Sequence, residues 1–179
     1  MHTRRLLLFV GVIVVGLLVF GVLAWPNTAW ARARMRTDAE QRWAQRSFGR
    51  YYLDIKDKGC LQEIEVHNER VADVKPNRCD AQPRSIGGLF DLIRRDGSVS
   101  HRCIYQGCLC DDKIYISAVY HHELGYPTRI IVRIRAEPNW RQFDFWKQAL
   151  ERRQLPNCGG LSEGSKVIEI VDIIPIRAS

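Results

Sequence analysis

The side chains of this chain best suited to chemistry are six cysteines and the histidines near them. Thiolate sulfur and imidazole nitrogen are preferred zinc ligands, while thiols can also act as nucleophiles or oxidise in pairs to disulfides. The spacing of the cysteines and the compartment of the chain decide between these roles. The cysteines are Cys60, Cys79, Cys103, Cys108, Cys110 and Cys158.

A zinc site is one interpretation of the cluster from Cys103 to Cys110, because His101, His121 and His122 lie near it in the sequence. The spacing argues against the usual structural sites, since the chain has no C-x2-C pair and no H-x3-H pair. The consecutive His121 and His122 would point to opposite faces of an extended segment. Zinc is therefore the alternative interpretation.

Disulfides are the interpretation that we favour. An even number of cysteines, all after an apolar N-terminal segment, is typical of chains that fold in an oxidising compartment. The sequence does not choose among the many possible pairings. We expect Cys60 to pair with Cys79 across a hairpin, and the other four cysteines to join two irregular stretches.

The apolar segment is residues 6–25, from Leu6 to Trp25, and it contains no charged side chain. A helix of about 20 residues spans the roughly 30 Å hydrocarbon core of a bilayer, so the segment predicts a single transmembrane helix. Ala29-Trp30-Ala31 also fits a signal-peptidase site. We expect residues 1–31 to anchor the chain in the cell membrane with its C-terminal domain outside the cytoplasm, or else to be a signal removed after Ala31.

The net charge of +7 lies mostly around this segment. Arg4 and Arg5 precede it, and residues 32–46 carry five arginines against two acidic residues. A nucleic-acid-binding protein would concentrate its basic residues on the folded domain, whereas these charges are placed to contact phospholipid headgroups. We expect no nucleic-acid partner.

The composition is that of one folded domain, with 46% hydrophobic and 26% charged residues in a chain of 179. It excludes a multidomain enzyme, a low-complexity chain and a polytopic membrane protein. Residues 32–48 have helix-forming composition with apolar positions at Met35, Ala39, Trp43 and Phe48, which predicts a juxtamembrane stalk helix packed on the domain.

The domain itself is predicted at residues 49–176. Its hydrophobic period changes to two, which indicates three antiparallel strands within residues 51–74. Ser85 is the predicted N-cap of a short helix that Gly97 closes. Further strands are predicted at residues 114–121, 128–135 and 166–176, and the last is apolar enough for the centre of the sheet.

Two features of the second half are candidate partner contacts. Arg129, Arg133 and Arg135 point to one side of a strand, which is either a solvated sheet face or a stripe that binds an acidic partner. Residues 138–153 predict an amphipathic helix with Pro138 in its first turn. We expect the helix to cover the sheet with its apolar side; docking on a partner or a membrane surface is the alternative. That side consists of Trp140, Phe143, Trp146, Ala149 and Leu150.

One turn resembles the DUF6174 family of bacterial secreted or membrane-attached domains of unknown function. The segment that carries the resemblance is Tyr120-His121-His122-Glu123-Leu124-Gly125-Tyr126-Pro127-Thr128. Other matching pieces are Arg50-Tyr51-Tyr52, the hairpin around Asn68, and residues 85–93. The resemblance implies an α+β domain with a curved antiparallel sheet and a covering helix. It brings no catalytic residue, because the family has none established.

Two departures from the family stand out. Only Cys60 is present where the family commonly has a C-x-C pair, and the helix at 138–153 looks like an insertion before the last strand.

These observations predict a non-catalytic, membrane-anchored binding or accessory domain outside the cytoplasm, with a protein or cell-envelope partner. A subunit of a membrane complex is one form that this domain could take. No nucleophile elbow, zinc-protease, phosphate-loop or dinucleotide motif occurs, and we expect no cofactor. The alternative is a metal-dependent or thiol-dependent enzyme of the cell envelope. It would use the region from Cys103 to Cys110 together with His121, His122 and Glu123.

Overall fold

Three helices and seven strands form an α+β fold in this computed structural model, which describes residues 29–75, 79–105, 108–159 and 163–176. The helices are α1 (Ala29–Ala44), α2 (Ile86–Ile93) and α3 (Phe143–Arg152). The strands are β1 (Arg50–Asp57), β2 (Cys60–His67), β3 (Arg70–Lys75), β4 (Val99–Tyr105), β5 (Cys110–Tyr120), β6 (Pro127–Pro138) and β7 (Glu163–Pro175).

The strands form one open antiparallel sheet in the order β3-β2-β1-β7-β6-β5-β4. The predicted α+β class and the antiparallel sheet are confirmed. The final strand lies at the centre of the sheet, between β1 and β6, as its apolar composition predicted.

The predicted membrane segment, residues 6–25, lies outside the described residues. Within the described residues, no helix is both long and apolar enough to cross a bilayer.

Alternation along the strands divides the sheet into two faces. Leu53 and Ile55 on β1 point into the main core, with Ile130 on β6 and Ile168 on β7. Helices α1 and α2 pack on this face through Trp43 and through the apolar side of α2. Helix α3 packs on the same side of the sheet, farther along β5 and β6.

We call the opposite side of the sheet the open face, because the buried residues of the three described helices belong to the cores on the other side. Its exposed side chains alternate with the core residues along each strand. Among them are Arg129, Arg133, Arg135, Val119, Val167, Val171 and Ile174.

The predicted helix boundaries need correction. The stalk helix begins at Ala29 and ends at Ala44, three and four residues before its predicted bounds, so Phe48 follows the helix. Met35 is exposed. Ser85 does cap α2, since its side chain accepts a hydrogen bond from the backbone N–H of Gly88. Gly97 does not close that helix, which ends at Ile93, but lies in the following turn.

The inserted helix also begins later than predicted. Pro138 is the last residue of β6, opposite Cys110, so it is not in the first turn of a helix. Helix α3 starts at Phe143, after a turn at residues 139–142. Strand β4 was not predicted, and it forms one edge of the sheet beside β5.

Candidate binding surfaces

Disulfides link the described cysteines. Cys60 bonds to Cys79, which confirms the expected pairing, and Cys110 bonds to Cys158. Cys108 is disulfide-bonded as well, and no described cysteine is free. Cys103 lies on β4, and its side chain is outside the described part of the structure.

The bond between Cys110 and Cys158 belongs to a second, smaller core. Its buried members are Leu109, the two cysteines and Phe145, whose side chain is fully buried. Phe145 is the residue that fixes α3 to the domain, since it is the only buried residue of this helix.

The other large apolar side chains of this region are exposed. Their exposure contradicts the expectation that they cover the sheet. Phe143 and Leu150 are each 78% exposed, and Trp140 and Trp146 are about half exposed at 48% and 46%. The helix turns only Phe145 toward the protein because Phe143, Trp146 and Leu150 lie on another side of it, spaced i, i+3 and i+7. Trp140 and Trp146 therefore remain available for contact.

The arginines of β6 lie on the open face, as the alternation predicted. Arg129 forms an ion pair with Glu169 on β7, with 3.5 Å between the nitrogen and the oxygen. Arg133 lies between Tyr115 and Ser165 in the register, and Arg135 is also exposed. Arg135 lies opposite Glu163 on β7, whereas Arg133 has uncharged register neighbours and forms no ion pair with a described side chain. The charge of Arg133 is therefore available to a ligand.

A row of acidic residues crosses the same face on the other half of the sheet. Glu63, Asp54 and Asp172 are register neighbours on β2, β1 and β7. Partial burial of Asp54, with Glu63 and Asp172 on either side, raises the pKa of its carboxyl above the usual value. The open face thus carries an acidic row on β2, β1 and β7 and a basic stripe on β6.

The turn that carries the family resemblance is a structural unit. The Nδ1 atom of His121 accepts hydrogen bonds from the backbone N–H groups of Glu123 and Leu124, and its ring stacks on Tyr126 at 4.8 Å. Pro127 is fully buried at the start of β6. Next to it on β6, the hydroxyl of Thr128 donates a hydrogen bond to the carbonyl oxygen of Val119 on β5.

The residues of the alternative enzyme do not form one site. Cys110 begins β5, whereas His121 and His122 follow its far end, so roughly 35 Å of extended strand separates them. His122 and Glu123 are both exposed, with 3.5 Å between Nε2 and the nearest carboxylate oxygen. No group of three or more possible metal ligands occurs among the described residues.

Sequence reasoning missed the most highly connected polar residue, Glu69. Its carboxylate accepts hydrogen bonds from the indole of Trp43 at 3.0 Å, from Arg46 at 2.7 Å and from the backbone N–H of Gly87 at 2.6 Å. The hydroxyl of Tyr51 donates to it as well. Burial and the Glu69 carboxylate raise the pKa of Tyr51, which keeps that hydroxyl protonated as a donor.

Glu69 thereby joins α1, β1 and the N-terminus of α2. A carboxylate is favoured at a helix N-terminus, where backbone N–H groups are unpaired. The arrangement leaves little of the carboxylate for a ligand, so its role is to hold the helices in place.

Comparisons of the chain with known protein families, curated proteins and solved structures found no match.

Proposed function

We propose that this chain is a non-catalytic domain, anchored in the cell membrane with its folded part outside the cytoplasm, that binds an acidic protein or cell-envelope partner. Its membership of the DUF6174 family is part of the proposal and rests on sequence resemblance, at the turn of residues 120–128 and at the three other matching pieces. An accessory subunit of a membrane complex is the specific form that we favour.

The oxidised state of the cysteines supports the location. Two described disulfides follow an apolar N-terminal segment, and disulfides persist in oxidising compartments outside the cytoplasm. Anchoring itself rests on the length and composition of residues 6–25.

The open face supports the binding role and is the observation on which it depends. Arg133 is exposed without an acidic partner among the described residues, and Arg135 is exposed on the same side of the strand. Val167 and Val171 add apolar surface on the neighbouring strand. Exposed arginines beside apolar side chains are typical of protein interfaces.

Thiol alkylation of the full chain, isolated without reductant, tests the location. We expect an intact mass without alkylation at Cys60, Cys79, Cys110 or Cys158. Alkylation of these four cysteines in freshly isolated protein would contradict an extracytoplasmic domain.

Cross-linking in the native cell envelope tests the partner. We expect the double variant Arg133→Glu, Arg135→Glu to lose a salt-sensitive cross-linked partner that the unaltered chain retains. A matched control makes the same charge change at Lys58 and Arg95, which lie in turns away from the open face. Equal loss in both double variants, or in neither, would count against binding through the open face.

A further inference from the structure

Helix α3 carries an uncovered apolar stripe. Phe143, Trp146 and Leu150 form it, and Trp140 extends it from the preceding turn, with 5.7 Å between the two indole centroids. The indole N–H of Trp146 donates to the carbonyl oxygen of Trp140 at 2.9 Å, which fixes both rings at the surface. A continuous exposed apolar patch on a folded domain is typical of a site that contacts a protein or a membrane.

The segment that carries this stripe is basic. Arg141, Lys147, Arg152 and Arg153 are all exposed, and they outnumber the two acidic residues of the same segment, Asp144 and Glu151. Tryptophan and phenylalanine on an apolar side, together with an excess of exposed lysine and arginine, are the composition of helices that lie in a membrane interface.

The direction of α1 gives the position of the membrane relative to this stripe. Near its C-terminus, Ala39 contacts Gly125 at the far end of β5. Near its N-terminus, Arg32 forms an ion pair with Asp96 at 3.3 Å, and Asp96 accepts a hydrogen bond from the backbone N–H of Ile116 in the middle of β5. The N-terminus of α1 is therefore directed toward the end of β5 that begins at Cys110.

Helix α3 lies at that same end. The backbone N–H of Asn139 donates to the carbonyl oxygen of Leu109 at 2.9 Å, just before β5 begins. Gly97, which follows Asp96, and Trp140 line one shared groove. Only residues 26–28 separate the apolar segment from α1, so a bilayer around that segment would face the end of the domain that carries α3.

We propose that α3 lies on the lipid surface, with its aromatic stripe at headgroup level and its basic residues against lipid phosphates. This inference rests on the proposed anchoring by residues 6–25. It gives the domain a second attachment to the bilayer, which fixes its orientation and directs the open face sideways, toward other proteins of the membrane.

Quenching of tryptophan fluorescence by brominated lipid tests the proposal on the full chain. The protein is reconstituted in vesicles of phosphatidylcholine and phosphatidylglycerol, with and without bromine on the acyl chains. The emission of Trp140 and Trp146 is the difference between the unaltered chain and the double variant Trp140→Phe, Trp146→Phe. We expect bromine to quench this difference emission at least as strongly as the emission that remains in the variant, which comes from Trp25, Trp30 and the buried Trp43.

A second variant tests the role of the stripe. Phe143→Glu with Leu150→Glu alters two of the most exposed side chains, so the fold is expected to remain intact, while quenching of Trp140 and Trp146 falls roughly twofold or more. The matched control is Val119→Glu with Val171→Glu, at positions 60% and 61% exposed on the open face. In the control variant, bromine is expected to quench Trp140 and Trp146 as strongly as in the unaltered chain.

The two proposals fail in different ways. Quenching confined to Trp25 and Trp30 would overturn the placement of α3 and leave the anchor in place. The same result with a cross-linked dimer would assign the stripe to a second copy of the chain and would also overturn the placement. If vesicles recovered by flotation carry no protein, that result would contradict the anchor itself. It would also contradict this inference, which rests on the anchor.

Discussion

The α carbon of Gly125 packs directly against the carbonyl oxygen of Ala39, which joins the turn between β5 and β6 to helix α1. A Cβ atom at Gly125 would lie 2.2 Å from that oxygen and 2.9 Å from the Cβ atom of Arg42. The backbone of Gly125 also has a φ of +78°, a region that side chains other than hydrogen disfavour. The close approach and the backbone angle both require glycine at this position.

Gly125→Ala is therefore expected to destabilise the domain by about 2–4 kcal/mol, because α1 must shift while the turn takes on strain. Urea unfolding of the full chain in detergent measures this change, followed by the tryptophan fluorescence as the buried Trp43 becomes exposed. Gly59→Ala is the matched control. Gly59 has a similar φ of +80° with no atom near its added Cβ, so only the backbone cost of about 1 kcal/mol is expected there. Equal effects at the two positions would contradict the role of the contact with Ala39.

Glu69→Gln is expected to lower the free energy of unfolding by about 2–3 kcal/mol. The substitution keeps the size of the side chain but removes the charge that faces Arg46, whose side chain is only 11% exposed. It also places an amide N–H₂ group where donors from Trp43 and Gly87 now converge. Denaturant unfolding measures the change, with Glu123→Gln as an exposed control that is expected to cost less than about 0.5 kcal/mol. An effect at Glu69 no larger than that of the control would contradict its structural role.

The strands could be predicted from the sequence because burial on one face imposes a period of two on them. Residues such as Leu53 and Ile130 alternate with polar neighbours, and the apolar final strand lies at the centre of the sheet as expected. Strand β4 was missed because Ser100, His101 and Arg102 interrupt any apolar alternation. Its pairing with β5 is also irregular. Edge strands need fewer buried residues and leave a weaker pattern.

The contacts between elements could not be predicted in the same way. Glu69 is 18 to 26 residues away in sequence from its partners Gly87, Arg46 and Trp43, so no local pattern indicates their meeting. The apolar stripe of α3 was predicted from the sequence. The expectation that the sheet would bury it was wrong. A helical period shows that a helix has an apolar side and not what covers that side.

Asp54→Asn is expected to stabilise the domain near neutral pH by roughly 0.2–1 kcal/mol, because it relieves like-charge repulsion from Glu63 and Asp172 across neighbouring strands. The sign follows from the pKa of Asp54, which folding raises. The folded state then favours the protonated carboxyl, so the unaltered domain loses stability as the pH rises through this pKa.

The gain from Asp54→Asn should therefore be full near neutral pH and should fade as the pH falls below the pKa of Asp54. Urea unfolding of both proteins across an acidic pH series measures this dependence. Lys56→Gln alters the next outward residue of β1 and is expected to give no such gain at neutral pH. A stability difference for Asp54→Asn that stays constant with pH would contradict the repulsion.

Loss of the bond between Cys110 and Cys158 is expected to destabilise the domain more than loss of the bond between Cys60 and Cys79. The two bonds join cysteines 48 and 19 residues apart, and in the chain-entropy account loops of these lengths stabilise by about 4 and about 3 kcal/mol. The first bond also lies in the small core that fixes Phe145, so Cys110→Ala with Cys158→Ala is expected to release α3 first. Faster amide hydrogen exchange within residues 143–152, with unchanged exchange in β1 and β7, is the expected signature. Equal acceleration throughout the sheet would instead show that α3 unfolds together with the whole domain.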